Sequence, residues 1–531
     1  MQQEMQQENQ SGSFWIVLIS MLLGVLIGLL VSPGTAGVRS GSSKSLLSQK
    51  VCEVAELVES EYVEDLESDT ISDAILNAML LSLDPHSHYL SARELTKESE
   101  AIQGSFDGIG VVLHYLGDTV YVGEVMSDGP SSGSGLRPGD MIVSVNGDTV
   151  SGVKMDKEEV LSRIRGPHGS KVSLLLNRYG SEKLLRYNIT RGVVNTPSIS
   201  YSGMLNASTG YVALSRFAET TGDEFHEALQ KLLSKGMTKL VLDLRGNGGG
   251  LLAAAVMVAD ELLPRKELIV YTQGAHQSRR DIKATRGGLF EEGDLVVLID
   301  EYSASASEIV AGAVQDNDRG LVAGRRSFGK GLVQNQFDLI DGSAVWLTVA
   351  RYYSPSGRCI QRPYSAGSDE YYYDFIERLA NAPRSDDSAS MVMDVSDSTR
   401  FFTKKGRVVY GGGGITPDML IPYVADSATL SFNALVNSGY PSRQAFMYVR
   451  TNYADIKLKY PTSSSFIKSF VLPDELLKSA MKGKSFPAHL QSRLVTLMKS
   501  YIAQSLYGSD AFYSIYLSVD NDLIRVKNKL K

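Results

Sequence analysis

Between residues 194 and 365 short apolar runs alternate with helical patterns, and this alternation restricts the possible folds more than any other feature of the chain. "TGYVALSRF", "KLVLDLR", "LVVLID", "GLVAG" and "SAVWLTVARYYS" read as strands. "GDEFHEALQKLLSKG", the segment after "GNGGG" and the segment from about Ser307 read as helices. A strand buries its apolar side chains only when another layer covers the sheet, so alternating strands and helices predict an α/β sandwich.

The rest of the chain divides around this core. With 531 residues, several cores can form. Residues 1–13 form a polar tail, and 14–31, "FWIVLISMLLGVLIGLLV", carry no charge. At about 1.5 Å per residue a helix of that length reaches roughly 27 Å, close to the ~30 Å hydrocarbon core. It reads as a single-pass membrane anchor, with a cleaved signal as the rival reading because of the small residues Gly34 to Ala36. Residues 45–100 form a helical region with Val51, Val54, Ala55, Leu57 and Val58 at helical spacing, and 426–531 form a helical extension. This extension is expected to cap the core, self-associate or dock an adaptor. Residues 366–400, rich in Ser and Asp, are expected to be a mobile excursion. The formal net charge of -7 offers no basic surface for nucleic acid. Two cysteines, Cys52 and Cys359, leave no disulfide framework, zinc spacing or redox pair, so no metal or cofactor is expected.

Three serines on alternate positions, Ser303, Ser305 and Ser307, raise the question of a nucleophile and its base. Of the histidines, only His226 and His276 fall within the α/β region, and both read as solvated. His86 and His88, in "LDPHSHYL", read as a turn that packs locally rather than as metal ligands. Lys330 in "SFGKGLVQNQF" is the better base, because burial lowers a lysine's pKa by penalising its charged form. Gln334 has a carbonyl oxygen that can accept from the amine. In a straight strand four residues span ~13 Å, so this contact requires a bend.

Residues 105–192 resemble a PDZ domain, through "GIGVVL" (Gly108 to Leu113) and "LRPGDMIVSVNG" (Leu136 to Gly147). Backbone N–H groups in a Gly-permitted turn cradle an anion, which points to Gly108, Ile109, Gly110 and Val111 as the site for a peptide's free carboxylate. Arg163 and Arg165 fall near that groove or on a solvated helix face.

Taken in order, "DLRGNGGG", "SASASEI", "FGKG" with Gln334 and "GGGGITPD" resemble the C-terminal processing peptidases, or tail-specific proteases, over residues 45–425. The resemblance implies a peptidase core over 194–425, with Ser305 as nucleophile, Lys330 as general base and Gln334 orienting it. It also implies an oxyanion hole from the N–H groups of Ala306 and Gly249. Asp243 and Arg245 then read as a brace for the glycine loop, and Asp316 as structural support. Two Ser-x-x-Lys matches, Ser151–Lys154 and Ser479–Lys482, lie outside this core and read as chance. The expectation is a multidomain α/β envelope serine endopeptidase with an inserted PDZ domain, acting on proteins with free carboxy termini. The rival classes are a non-catalytic PDZ adaptor and a hydrolase of small esters.

Overall fold

The computed structural model describes residues 45–65, 68–285, 287–380, 400–423 and 426–529. The anchor expected at 14–31 lies outside them. No helix among the described residues is long and apolar enough to cross a membrane. The chain divides between Ser72 and Asp73. Before that division stands α1 (Leu46–Glu61), started by Ser45, whose side chain accepts from the Ser48 N–H. Across it runs α2 (Ser68–Leu81).

From Asp73 onward the pieces follow in chain order. A short strand β1 (His88–Leu90) leads into α3 (Ala92–Gln103), which Ser91 and Glu94 open with a reciprocal capping box. Strand β2 (Ser105–Gly108) precedes a small antiparallel sheet of β3 (Val111–Leu116), β4 (Thr119–Val125), β5 (Met141–Val145) with the stub β6 (Asp148–Thr149), β7 (Lys171–Asn177) and β8 (Leu185–Thr190). The helix α4 (Lys157–Ile164) packs Val160 and Ile164 into that sheet's core. Strand β9 (Gly192–Asn195) pairs back with β2 and closes the PDZ module.

The main sheet has six strands in the order β10 (Ile199–Met204), β11 (Thr209–Leu214), β12 (Lys239–Asp243), β15 (Asp294–Ile299), β16 (Leu321–Gly324) and β21 (Met419–Leu420), all parallel except β10. Its inner strands β11, β12, β15 and β16 are almost continuously apolar because both faces are covered. On one face Val212, Leu242, Val297 and Ile299 meet α5 (Thr221–Leu233), α6 (Leu252–Asp260) and α7 (Ala306–Asp316). A second, antiparallel sheet is built from β13 (Leu268–Gly274), β14 (Gln277–Lys283), β17 (Leu332–Asp338) and β18 (Ala344–Tyr353), with β1 on β18. The stretch expected to be mobile instead begins with a helix, α8 (Ser368–Ala380), which buries Tyr371. The remainder of that stretch, 381–399, lies outside the described residues. A hairpin of β19 (Arg400–Phe402) and β20 (Val408–Tyr410) leads into the tetraglycine loop.

The extension forms α9 (Ser427–Asn437), α10 (Tyr440–Lys459), α11 (Ser463–Ser469), α12 (Asp474–Ala480), α13 (Ala488–Tyr507), α14 (Ser509–Tyr516) and α15 (Asn521–Lys529) around its own apolar core. It touches two other bodies. Leu517, Leu523 and Val526 cover Tyr211, Val241, Val296 and Leu298 on the second face of the main sheet. Phe446 packs against His114 and Tyr121 of the PDZ module at centroid distances of 4.6 and 5.8 Å.

Candidate active site

Strand β15 runs into the serine triplet, and α7 begins directly after Ser305. The turn between them is tight enough to put Ser305 at φ 54° and ψ -111°, a region that side chains other than glycine rarely adopt. The two flanking serines hold this turn. Ser303 Oγ donates to the Leu244 carbonyl at 2.8 Å and Ser307 Oγ to the Asn247 carbonyl at 2.9 Å, and both residues are fully buried. Ser305 alone of the three is partly open, and it lines a cleft of about 560 Å³ together with Lys330, Gln334 and Gly248 to Gly250.

Lys330 ends the glycine-bracketed loop ahead of β17. Its Nζ donates to Gln334 Oε1 at 2.7 Å. The bend this contact requires is present: Gly329 sits at φ 94°, and the β17–β18 register shifts between Val333 and Gln334. Gln334 is oriented in turn, because its Nε2 donates to the His86 carbonyl at 2.6 Å. Burial lowers the Lys330 pKa, while the Asp84 and Glu308 carboxylates oppose that shift. Ser305 Oγ and Lys330 Nζ face one cleft but share no hydrogen bond among the described residues, a separation common in free enzymes.

Sequence reasoning missed Glu308. Its carboxylate is wholly buried and accepts from the N–H groups of Ser305 (2.8 Å), Gly329 (2.7 Å) and Lys330 (2.9 Å) and from Ser327 Oγ (2.6 Å). One carboxylate thus joins the backbones of the nucleophile and the base. Burial pushes its pKa up to about 7 against the four hydrogen bonds. Tyr352 makes a second tie, its hydroxyl lying within hydrogen-bond reach of both the Ser305 and Lys330 carbonyls and donating its single proton chiefly to Lys330. The motif Ser-x-x-Glu at 305–308 is the capping signature that could have revealed Glu308. Tyr352 has no such signal.

The glycine loop after β12 approaches the nucleophile closely. A Cβ at Gly249 would lie 2.8 Å from Ser305 Cβ and 3.1 Å from the Ala306 nitrogen. Ala306 N–H opens α7 and has no partner within that helix. The Gly249 N–H donates to Asn247 Oδ1 at 2.9 Å, so it serves an oxyanion only after leaving that acceptor. Asp243 and Arg245 form the expected brace, with Arg245 Nε 2.9 Å from Asp243 Oδ1, and Asp316 pairs with the fully buried Arg358 at 2.7 Å.

Other expectations change. His226 is not simply solvated: its side chain is 34% exposed and its Nδ1 lies 2.8 Å from Glu261 Oε1. His86 is more than a local turn. Its ring meets Tyr371 at 3.1 Å, and burial beside Lys330 lowers its pKa to about 3, keeping it neutral. Arg165 pairs with Glu100 of α3 and Arg163 with Asp148 and Glu159, so neither is merely solvated. No group of three or more metal-ligating side chains occurs among the described residues. In the PDZ module Gly110 has φ 70°, and a Cβ there would meet Gly129 Cα at 2.7 Å. The loop Gly108 to Gly110 leads into β3, an edge strand of its sheet.

Two family models match the chain. Residues 208–367 match the family described as Peptidase family S41, and residues 121–178 match a PDZ domain. A carboxy-terminal-processing protease of Bartonella bacilliformis is 38% identical over 316 residues, 58% of this chain and 71% of that protein. The chain belongs to the C-terminal processing peptidases. The carboxy-terminal processing protease CtpA of Bacillus subtilis is 31% identical over 358 residues, 67% of this peptidase and 76% of that one. Among solved structures, a photosystem II D1 C-terminal processing protease shares 32% identity over 59% of this peptidase and 84% of its own chain, with a TM-score of 0.35.

Proposed function

We propose that this peptidase is a serine endopeptidase of the cell envelope, anchored through residues 14–31, that recognises protein carboxy termini and cleaves through an acyl-enzyme on Ser305. The observation that carries the reading is the cleft in which the partly open member of the serine triplet faces a desolvated lysine held by Gln334. Ser305 Oγ attacks the scissile carbonyl carbon while its proton passes to the neutral Lys330 amine. The oxyanion that forms takes the Ala306 N–H, and the Gly249 N–H turns to it from Asn247. Collapse of this intermediate breaks the C–N bond, and Lys330 returns the proton to the departing amine. Water then attacks the ester with Lys330 again as base, which frees the acid and restores Ser305. The substrate's tail adds as a strand along β3, with its carboxylate at Gly108 to Val111.

The test is cleavage of a denatured reporter protein ending in apolar residues, compared with the same protein amidated at its carboxy terminus. The wild type is expected to cut the free tail faster, and Ser305→Ala to cut neither. Cleavage by Ser305→Ala at the wild-type rate rejects the nucleophile. Tail binding without cleavage by the wild type selects the adaptor reading instead.

A further inference from the structure

Arg245 stands in the loop that ends at Gly249, and Arg325 in the loop that ends at Lys330. One residue of the helical extension reaches both. Asp522 Oδ2 accepts from Arg245 Nη1 at 3.1 Å and from Arg325 Nη1 at 3.0 Å. Asp520 beside it accepts from Arg245 Nη2 at 2.7 Å and caps α15 by accepting from the Leu523 N–H at 3.0 Å. Leu523 and Val526 then fix the helix on the sheet, both fully buried.

We propose that Asp522 is a positioning residue that clips the oxyanion loop to the base loop, so that the extension sets the geometry of a site it never enters. The two arginines are nearly buried, with side chains 17% and 10% exposed, and each already has one carboxylate within its own region: Asp243 for Arg245 and Glu301 for Arg325. Asp522 is therefore not needed to neutralise either one alone. Its carboxylate is the acceptor the two share, and a shared acceptor fixes a distance. The movement it restrains leads to the reacting groups by short paths. Two residues beyond Arg245, the Asn247 carbonyl receives both Ser307 Oγ and the Ala304 N–H, and Gly249 follows. Three residues beyond Arg325, the Phe328 N–H donates to the Ser303 carbonyl, and Lys330 follows. Displacing a catalytic group by about 1 Å costs up to ~10²-fold in rate even when the altered residue is remote.

This inference rests on the Ser305–Lys330 reading above. The full-length protein and its Asp522→Asn, Asp522→Glu, Leu494→Ala and Ser305→Ala variants are assayed for kcat, KM and thermal midpoint on the denatured reporter with an apolar tail. Asp522→Asn keeps shape and loses the charge that both arginines share, so kcat is expected to fall about tenfold with KM unchanged. Asp522→Glu is expected to recover part of that loss. Leu494→Ala empties part of the extension's own core and lowers the midpoint without touching the clip, so its kcat is expected to stay at the wild-type value below its midpoint. Wild-type kcat in Asp522→Asn overturns the clip, as does an equal kcat loss in Leu494→Ala. If Ser305→Ala itself still cleaves, the nucleophile assignment has failed instead; an inactive Ser305→Ala beside a fully active Asp522→Asn rejects the clip alone.

Discussion

Glu308 places a titratable carboxylate where water does not reach, and its protonation is coupled to folding. With a folded pKa of about 7 against an ordinary 4.5, the native state binds more protons there between those values than the unfolded chain does. The site's contribution to stability therefore falls as pH rises through that window. Glu308→Gln should remove this slope and cost about 1–3 kcal/mol, since an amide turns donor hydrogens toward groups that are themselves donors; denaturant midpoints measured from pH 4 to 8 check both effects. Lys330 has the opposite sign. Burial lowers its folded value, so both stability and the fraction of neutral amine rise with pH up to its ordinary range near ~10.4. The cleavage rate of the wild type should rise with pH and level off above that folded value, whereas Lys330→Arg should be inactive throughout because a guanidinium does not deprotonate. Ser303→Ala and Ser307→Ala should each lose about 0.5–1.5 kcal/mol through one lost buried hydrogen bond while still cleaving, as thermal melts and the reporter assay would show, since the Leu244 and Asn247 carbonyls keep the Asn247 and Ala304 N–H groups. The serine and lysine were legible because their motifs are local. The partner of Gln334 was not, because a backbone carbonyl has no residue identity, and His86 lies 248 positions away in sequence.

At the scale of elements, the loop after β12 has no room for a side chain at Gly249. Its φ of 105° and the 2.8 Å approach to Ser305 Cβ mean that Gly249→Ala must displace either the loop or the nucleophile. A kcat loss of about 10²–10³-fold is expected, the scale of a lost oxyanion donor, in a protein that still melts cooperatively. In the PDZ module, Gly110→Ala should separate recognition from chemistry: it strains the turn against Gly129 and should abolish the preference for free over amidated tails while cleavage continues. The alternation of strands and helices was readable because the apolar runs of β11, β12, β15 and β16 are almost wholly buried. Several elements were not, β10, β13, β14 and β17 among them, and two show why. His88–Leu90 spans three residues, too few for any period, and the helix Ser368–Ala380 was hidden because its composition was averaged with the Ser/Asp-rich residues after it. Tyr371, Phe375 and Arg378 at spacings of four and three carry the helical signal.

On the scale of the whole molecule, amphipathic helices were legible between 426 and 531, but a stripe of apolar residues does not name the surface it covers. Here it covers two, the PDZ module through Phe446 and the main sheet through Leu523 and Val526. These contacts also set an order in time. Asp520 follows Arg245 by 275 positions, and at about 5–20 residues per second the ribosome needs on the order of 14–55 s to travel between them. From the completion of β15 at Ile299 onward, the strands holding Tyr211, Val241 and Val296 are made but one of their faces lacks the cover of Leu517, Leu523 and Val526. A nascent copy, or one released early by an interrupted message, thus carries serine, lysine and glycine loop together with a bare apolar sheet face. It is material for chaperones before it is a hazard to its neighbours.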